Sequence, residues 1–436
     1  MQVSIEMLEG LERQMTVQIP SDTVTQAVEK KLKELSKTVK IDGFRQGKVP
    51  LKVVQQKFGG HIRQEVVGDV LESSYQQALM QEKVRPAGMP NIKSVTSEEK
   101  EDMTYVAVFE VYPEIEKIHL DSISIEKPTA EIGDEDFNDM ITKLREQRKD
   151  WAEVERAATK GDKVTVDFEG KIEGELFEGG AGKDMDVEIG AGQMLKEFED
   201  GLDGILVGEE KIAEVNFPED YHGKDVAGKK AAFTLKATKI SEPVLPAVDA
   251  EFAKAFGVED GDIEKMNADI RANMEKELKQ RLKSELKNAV MVGLLEANEI
   301  IAPTALVAEE VKALKEQAAQ RMSQGQGMES FDTSSLPDEL FKEEGSKRVK
   351  LGLLVSEIIK TAEIKPDESI IDSTLKEMAQ SYEDPAQVED YYRQNKQARA
   401  NLEAMVLEDQ VVDHILNQAK VTDKASSFKE LMNGDA

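Results

Sequence analysis

The residue types that most often do catalysis are present, but they are not arranged for it. The chain has no cysteine, which excludes disulfides, thiolate metal sites and cysteine nucleophiles. Carboxylates are abundant, with 87 Asp and Glu, yet no pair has a spacing that demands general acid–base work. The glycine run at 179–182 lacks the Gly-Lys-Ser/Thr ending of a phosphate-binding loop. The four histidines are scattered without metal-ligand spacing: His61, His119, His222 and His414. We therefore predict neither a metal nor a cofactor.

Four aromatic segments follow one another in the middle of the chain: Asp167-Phe168-Glu169-Gly170, Leu176-Phe177-Glu178-Gly179, the stretch 190–202, and Phe217 to Gly223. Together they resemble the FKBP family of prolyl isomerases, over roughly residues 155–240. The resemblance implies an antiparallel β half-barrel wrapped on a short helix. It also implies a substrate pocket lined by Phe168, Phe177, Met194, Leu195, Phe198, Tyr221 and Phe233. Glu178 joins this catalytic set at a position where FKBPs usually have aspartate, and Phe198 stands where they often have tryptophan. We therefore expect the isomerisation of peptides to tolerate these two departures better than the binding of macrolide inhibitors does.

An aromatic pocket suits the isomerisation of an X–Pro bond. The barrier is about 20 kcal/mol, because amide resonance is lost in the twisted state. The reaction needs no proton transfer and no nucleophile. An apolar cavity favours the twisted amide, since that form has less charge separation than the planar one. The alternative is that these aromatic residues only form a core, and for Phe233 the two interpretations are evenly balanced.

A second group of candidate residues lies in the loop Gly43-Phe44-Arg45-Gln46-Gly47-Lys48-Val49-Pro50, between two predicted helices. Residues 30–57 contain nine basic residues and two acidic ones, although the chain carries a net charge of −30. That net charge argues against general nucleic-acid binding. An exposed Phe beside Arg and Lys suits docking on a mixed RNA–protein surface. The alternative is that Phe44 turns back into the domain core.

This loop is similar to the G-F-R-x-G-x-x-P signature of trigger factors, a family of bacterial chaperones. The resemblance implies that the loop contacts the ribosomal large subunit, its protein and its rRNA, beside the tunnel exit. Phe44 and Arg45 would make the contact and Lys48 would support it. The rest of the predicted set is Gly43, Gln46, Gly47 and Pro50. Position 46 is often basic in the family, so the glutamine puts its charge contribution in doubt.

Patterning along the chain predicts an α+β multidomain protein. We expect an N-terminal α+β ribosome-binding domain at 1–112, a connector with a charged helix at 113–149, an FKBP-like β half-barrel at 150–245, and an elongated all-α chaperone domain at 246–436. Predicted helices cover 21–39, a stretch from Pro50, 61–81, 134–149, 261–298, 337–362, 367–381 and 397–419. Ser21 or Asp22 is expected to cap the first of them.

The helical region has amphipathic stripes and methionines near a polar tip, such as Met322 and Met328, which suit surfaces that accept many apolar partners. For any one methionine, an ordinary core position is the better interpretation. The family resemblance implies arms that receive nascent and unfolded polypeptides, and a homodimer when the protein is free. No stretch approaches the roughly 20 apolar residues of a membrane span, so we expect a cytoplasmic protein.

Two other functions fit the same residues. One is a free FKBP-type prolyl isomerase whose helical domains bind substrates or form a dimer. The other is an interaction protein whose isomerase is vestigial. The leading prediction is a ribosome-associated chaperone that also isomerises X–Pro bonds.

Overall fold

The computed structural model describes the chain except for residues 43, 46, 99–100, 220, 222, 224–225, 327–332, 381, 383 and 434–436. The chain divides into two compact units. The first comprises Met1–Pro128 and Ser284–Lys424, and the second comprises Thr129–Lys283 and Ala425–Ala436. In the described part of the chain, no helix combines the length and apolar character needed to cross a membrane.

Strands and helices are numbered along the chain. The strands are β1 Gln2–Met7, β2 Glu12–Ile19, β3 Asn91–Thr96, β4 Met103–Glu110, β5 Ser124–Thr129, β6 Asp150–Glu153, β7 Lys163–Ile172, β8 Glu175–Glu188, β9 Glu210–Asn216, β10 Lys230–Val244 and β11 Lys420–Ala425. The helices are α1 Ser21–Thr38, α2 Leu51–Glu82, α3 Asp134–Gln147, α4 Lys196–Leu202, α5 Ala250–Ala255, α6 Ile263–Ala297, α7 Thr304–Gln326, α8 Glu339–Thr361, α9 Glu368–Ala379, α10 Pro385–Gln394, α11 Lys396–Leu416 and α12 Phe428–Asn433.

The first unit begins with an antiparallel sheet in the order β1-β2-β4-β3. Alternate residues of β2 and β4 face one core, where Met15, Val17, Tyr105 and Ala107 are fully buried against α2. A smaller core lies between α1 and α2, and Leu32 and Val54 are buried in it. The α+β character predicted for the N-terminal region is confirmed.

Helix α2 differs from the prediction of two helices, one from Pro50 and one at 61–81. It runs unbroken through Gly59 and Gly60, and neither glycine adopts a positive φ. Val54, Val66 and Leu79 are buried along its length, so tertiary packing outweighs the low helix propensity of glycine. The cap of α1 also differs. Pro20 occupies the cap position, and the Ser21 N–H instead donates to the Asp102 carboxylate at 2.9 Å.

The second unit holds the β domain. Its sheet runs β6-β10-β7-β8, with β9 added to β10, and every pairing is antiparallel. The short helix α4 packs on it closely enough that a Cβ at Gly201 would lie 2.6 Å from Ala213 Cβ. The predicted antiparallel β domain with one short helix is confirmed. In the same unit α3 packs on α6, where Phe137 is buried with Met274 and Leu278.

The rest of the first unit is mainly helical. Residues of α6, α8 and α11 share a core that contains Leu294, Leu354 and Ile415. The sequence analysis did not identify the separate helices α5, α10 and α12, although they lie in the region predicted to be helical. It also missed strand β11, which pairs with β5 inside that region. The domain boundaries at 112, 149 and 245 stay a prediction.

Candidate functional site

The β domain gathers its aromatic side chains around Phe233 on β10. The ring of Phe198 lies 5.3 Å from that of Phe233 at an interplanar angle of 79°. The rings of Phe168 and Phe177 each lie 6.0 Å from it. Edge-to-face arrangements at these distances contribute beyond simple area burial. The cluster is therefore a packed aromatic unit.

The cluster has a buried floor and a half-exposed wall. Phe198 is 1% exposed and Phe233 is 6% exposed, so both form the floor. Five of the half-buried residues that pack against the hydrophobic core of the β domain form the wall: Phe168, Phe177, Met194, Leu195 and Tyr221. All seven apolar residues that the sequence analysis placed in the pocket thus belong to this core or pack against it. Their part in catalysis stays a prediction.

Glycines on two strands make room for the rings. A Cβ at Gly170 would lie 2.6 Å from the Phe233 ring, and one at Gly180 would lie 2.9 Å from the Phe177 ring. The register of β7 against β8 shifts at this point, so residues 177–180 bulge opposite Gly170. Phe177 therefore leaves the regular ladder and turns its ring toward Phe233.

Glu178 lies on the same bulge and is exposed. The structure therefore places it beside the pocket wall, and its predicted catalytic part stays untested.

Two residues of the site were not singled out from the sequence. Phe217 is buried, and its ring lies 6.0 Å from Phe177 and 4.8 Å from Tyr221, so it joins the two wall residues. Glu199 is a buried carboxylate on α4. It accepts hydrogen bonds from the backbone N–H groups of Gly190 at 2.9 Å, Gly192 at 3.3 Å and Met194 at 3.0 Å. The loop that carries Met194 into the wall is therefore fastened to the helix.

A polar cluster holds the other side of that loop. The Arg156 guanidinium donates to both carboxylate oxygens of Asp162, which also accepts from the backbone N–H of Thr159 at 2.8 Å. Asp162 O accepts from Ile189 N, immediately before the loop. Burial alone would raise the pKa of the Asp162 carboxyl. The hydrogen bonds from Arg156 and Thr159 outweigh burial and hold the pKa below its usual value of 3.8.

The second predicted site is the loop before α2. Phe44 is 40% exposed, which contradicts the alternative in which it turns into the core. Its flanking residues Ile41 and Val49 are buried in the small core between α1 and α2, so the base of the loop is anchored. Gly47 has a φ of +77°, a conformation that favours glycine. Gly43 and Gln46 lie outside the described residues.

The loop's polar side chains face solvent. Arg45, Lys48 and Pro50 are exposed, and Pro50 is the N-cap of α2. The Lys48 N–H donates to Arg45 O at 2.9 Å, which closes the turn.

Part of the predicted positive charge is neutralised within the domain. Lys31 pairs with Glu65 at 3.1 Å and with Asp69 at 3.2 Å, and hydrogen bonds with these carboxylates raise the pKa of Lys31. Lys33 pairs with Glu29 at 3.7 Å. The positive charge of residues 30–57 is therefore partly compensated by carboxylates outside that range.

The described residues contain no group of three His, Cys, Asp or Glu side chains suited to a metal ion. The aromatic cluster presents its half-buried wall above the buried floor.

Comparison with known proteins identifies three family models along the chain. The model described as bacterial trigger factor protein matches residues 1–144, and the model of its C-terminus matches residues 262–417. The FKBP-type peptidyl-prolyl cis-trans isomerase model matches residues 154–238.

Curated relatives match over the whole length. A trigger factor of Thioalkalivibrio sulfidiphilus is 50% identical over 433 residues, which is 99% of this chain and 98% of the relative. One of Pseudoalteromonas atlantica is 45% identical over 436 residues and covers 100% of both chains. One of Acinetobacter baumannii is 47% identical over 437 residues, covering 99% of this chain and 98% of the relative.

Proposed function

The chain belongs to the trigger factor family, and from that premise we propose that its exposed loop at Phe44 docks on the ribosome while its aromatic pocket isomerises X–Pro bonds of emerging chains. It is a chaperone with an FKBP-type peptidyl-prolyl isomerase domain. We propose which residues carry each activity. The half-exposed wall over a buried aromatic floor supports the isomerase assignment, and the exposed ring of Phe44 supports the docking assignment.

In the pocket, a proline ring lies against the floor formed by Phe198 and Phe233. The wall residues on either side exclude water from the amide bond. Because the twisted amide has less charge separation than the planar one, this lining stabilises it relative to water. The pocket therefore lowers the barrier by environment and needs no covalent step. Glu178, exposed on the bulge, stands where it can meet the peptide flanking the proline.

Replacing a wall residue tests the pocket. Phe177→Ala should lower the isomerisation rate of a proline peptide at least tenfold, because the ring meets Phe233 and Phe217 directly. Leu176→Ala is the matched control, since Leu176 is 60% exposed on the same strand. Equal rates for the two variants would contradict the assignment.

At the loop, Phe44 supplies apolar burial and Arg45 supplies charge-assisted contacts to carboxylate or phosphate. Phe44→Ala with Arg45→Ala should abolish co-sedimentation with ribosomes. Lys31→Ala and Lys33→Ala serve as the control, because these two lysines are already paired within the domain. If the loop variant still pellets with ribosomes, docking lies elsewhere.

Clients are nascent and unfolded polypeptides, bound chiefly by the helical part of the chain at 246–436. The chain acts in the cytoplasm, a reducing compartment that suits a protein without cysteine. Away from the ribosome it forms a homodimer, which sedimentation over a range of concentrations would measure.

A further inference from the structure

Strand β1 has an open outer edge. In the four-stranded sheet it is an outer strand, and among the described residues it pairs only with β2. Proteins commonly protect such edges with lysine, proline, bulges or short length. Strand β1 has six residues, contains neither lysine nor proline, and pairs with β2 without a shift in register. Its edge is therefore a regular template for another strand.

Other outer strands of the chain carry the protection that β1 lacks. Strand β3 contains Lys93 and a register shift between Ile92 and Ser94. Strand β6 has four residues, and β8 has two register shifts against β7. The unprotected edge is thus specific to β1, since the outer strands β3, β6 and β8 each have a protecting feature.

The backbone groups that face outward can be identified. The Leu8 N–H donates to Glu12 O at 3.0 Å, across the end of the hairpin. Since alternate residues of an antiparallel strand point their amide groups to opposite sides, even-numbered residues of β1 face β2. Val3, Ile5 and Met7 therefore point their N–H and C=O groups away from the sheet.

The side chains of β1 indicate what kind of strand would fit. Val3 pairs with Val17 and Ile5 pairs with Met15. Val17 and Met15 are completely buried, whereas Val3 and Ile5 are only half-buried. The apolar layer of the core thus continues to the edge and ends there partly uncovered. An added strand would cover it with its own apolar residues.

The opposite face of β1 is polar. Gln2, Ser4 and Glu6 are exposed on it, and Glu6 carries a negative charge in a chain of net charge −30. An added strand would meet this face with polar or basic side chains. The edge is therefore matched to an extended peptide in which apolar residues alternate with polar or basic ones.

We propose that the outer edge of β1 binds an extended segment of a client polypeptide by strand addition, through the backbone groups of Val3, Ile5 and Met7. The occupant follows from the chaperone assignment, on which this inference rests. The interaction would select peptides that are extended and in which apolar residues alternate with polar or basic ones. It would not require proline, which separates it from the isomerase pocket.

The test uses the full chain and a proline-free seven-residue peptide in which valine alternates with threonine and lysine. Amide hydrogen exchange at single-residue resolution should be fast at Val3, Ile5 and Met7 in the free protein, because their N–H groups have no partner strand. Saturating peptide should slow exchange at these three residues at least tenfold. A peptide of the same composition in scrambled order should not.

A proline substitution tests the backbone contact directly. Met7→Pro removes an outward N–H, keeps the β1–β2 hydrogen bonds, and changes a side chain that is 80% exposed. It should weaken peptide binding at least tenfold, whereas Met7→Ala, which loses the same side chain but keeps the N–H, should bind as the parent does.

Several results would overturn the proposal. Peptide binding without protection at the three residues would do so, as would absence of binding or equal affinities of the two variants. Protection that rises with protein concentration in the absence of peptide would assign the edge to a second copy of the chain. Isomerisation of a proline peptide and ribosome co-sedimentation, measured in parallel, report separately on the proposed function.

Discussion

The carboxylate of Glu199 accepts a hydrogen bond from the backbone N–H of Met194 at 3.0 Å. The acceptor lies on α4 and the donor lies at the end of the loop that precedes it. The same carboxylate also accepts from Gly190 and Gly192. A single buried side chain therefore fixes the conformation of the loop that brings Met194 to the pocket wall.

Glu199→Gln should loosen this loop. An amide offers one acceptor oxygen, and its NH2 group would face a backbone N–H, so at least one bond is lost. Hydrogen bonds to a charged group contribute about 1.5–3 kcal/mol each, and we expect a loss of stability of that order. Exchange of the Gly190, Gly192 and Met194 amides should speed up, and isomerisation should slow several-fold. Asp200→Asn, at the exposed neighbouring residue, should change neither. Unchanged exchange at these amides in Glu199→Gln would refute the loop's dependence on Glu199.

Gly180→Ala should displace the ring of Phe177. The new Cβ would lie 2.9 Å from two ring atoms of Phe177, which is closer than real Cβ contacts, and 3.0 Å from Gly170 O, which is tighter than most of them. Overpacking of this kind costs about 1–3 kcal/mol. Isomerisation should fall together with stability, because the ring leaves its contact with Phe233.

A double-mutant cycle identifies the cause of the Gly180→Ala effect. If the ring is responsible, Gly180→Ala should cost much less in a Phe177→Leu background, since leucine is smaller and adapts its rotamer. Equal costs in the two backgrounds would assign the effect to the Gly170 carbonyl. Denaturant unfolding can be followed by the fluorescence of Trp151, the single tryptophan of the chain, which lies on β6 of the same domain.

How far the sequence could predict this site depends on the kind of residue. The seven apolar residues came from ordered segments with a family likeness, and hydrophobic burial then gathered them into one cluster. Glu199 could not be found this way. It follows Lys196 and Glu197 and precedes Asp200, so it is typical of a solvated helix face. Its burial depends on the path of the loop 190–194, which is a tertiary feature.

The same distinction holds for the fold. The alternation of apolar and polar residues in β2 and β4 could be predicted from the sequence because one face of the sheet is buried. The continuity of α2 could not be predicted in this way, since the low helix propensity of Gly59 and Gly60 favours a break. Packing of Val54, Val66 and Leu79 decides the outcome, and it involves partners distant in sequence. The exposure of Phe44 likewise follows from Ile41 and Val49 occupying the small core.

Acid stability of the β domain should depend on Asp162. Its pKa in the folded chain lies below the usual value of 3.8, so it contributes stability above that pH. This stability is lost as pH falls from about 3.8 through the folded pKa. Asp162→Asn should therefore lower stability at neutral pH and flatten its decline in that acidic window. The control, Asp203→Asn, changes an exposed carboxylate of the same domain. Trp151 fluorescence across this pH range measures both, and parallel pH curves for parent and Asp162→Asn would contradict the expectation.

Tyr75→Phe should leave the N-terminal domain as stable as before or make it more stable. The Tyr75 hydroxyl is buried without a hydrogen-bond partner in the described part of the chain, and burial raises its pKa to about 12. Removing an unsatisfied hydroxyl removes a desolvation cost, while the ring keeps its edge contact with Phe109 at 5.8 Å. Since the pKa is raised from 10.0 in the folded state, the parent should also lose stability as pH rises from 10.0 toward about 12, and the variant should lose less.

Tyr105→Phe is the matched comparison for Tyr75→Phe. The Tyr105 hydroxyl meets Ser74 Oγ at 3.1 Å in the same core, so its removal breaks a buried hydrogen bond and should cost about 1 kcal/mol. Native-state hydrogen exchange of the β4 amides reads the stability of this domain without interference from the second unit. We expect the stability of Tyr75→Phe to equal or exceed that of the parent, and the stability of Tyr105→Phe to lie below it. A loss in Tyr75→Phe as large as in Tyr105→Phe would mean that the Tyr75 hydroxyl has a partner in solution, for which a buried water is the simplest candidate.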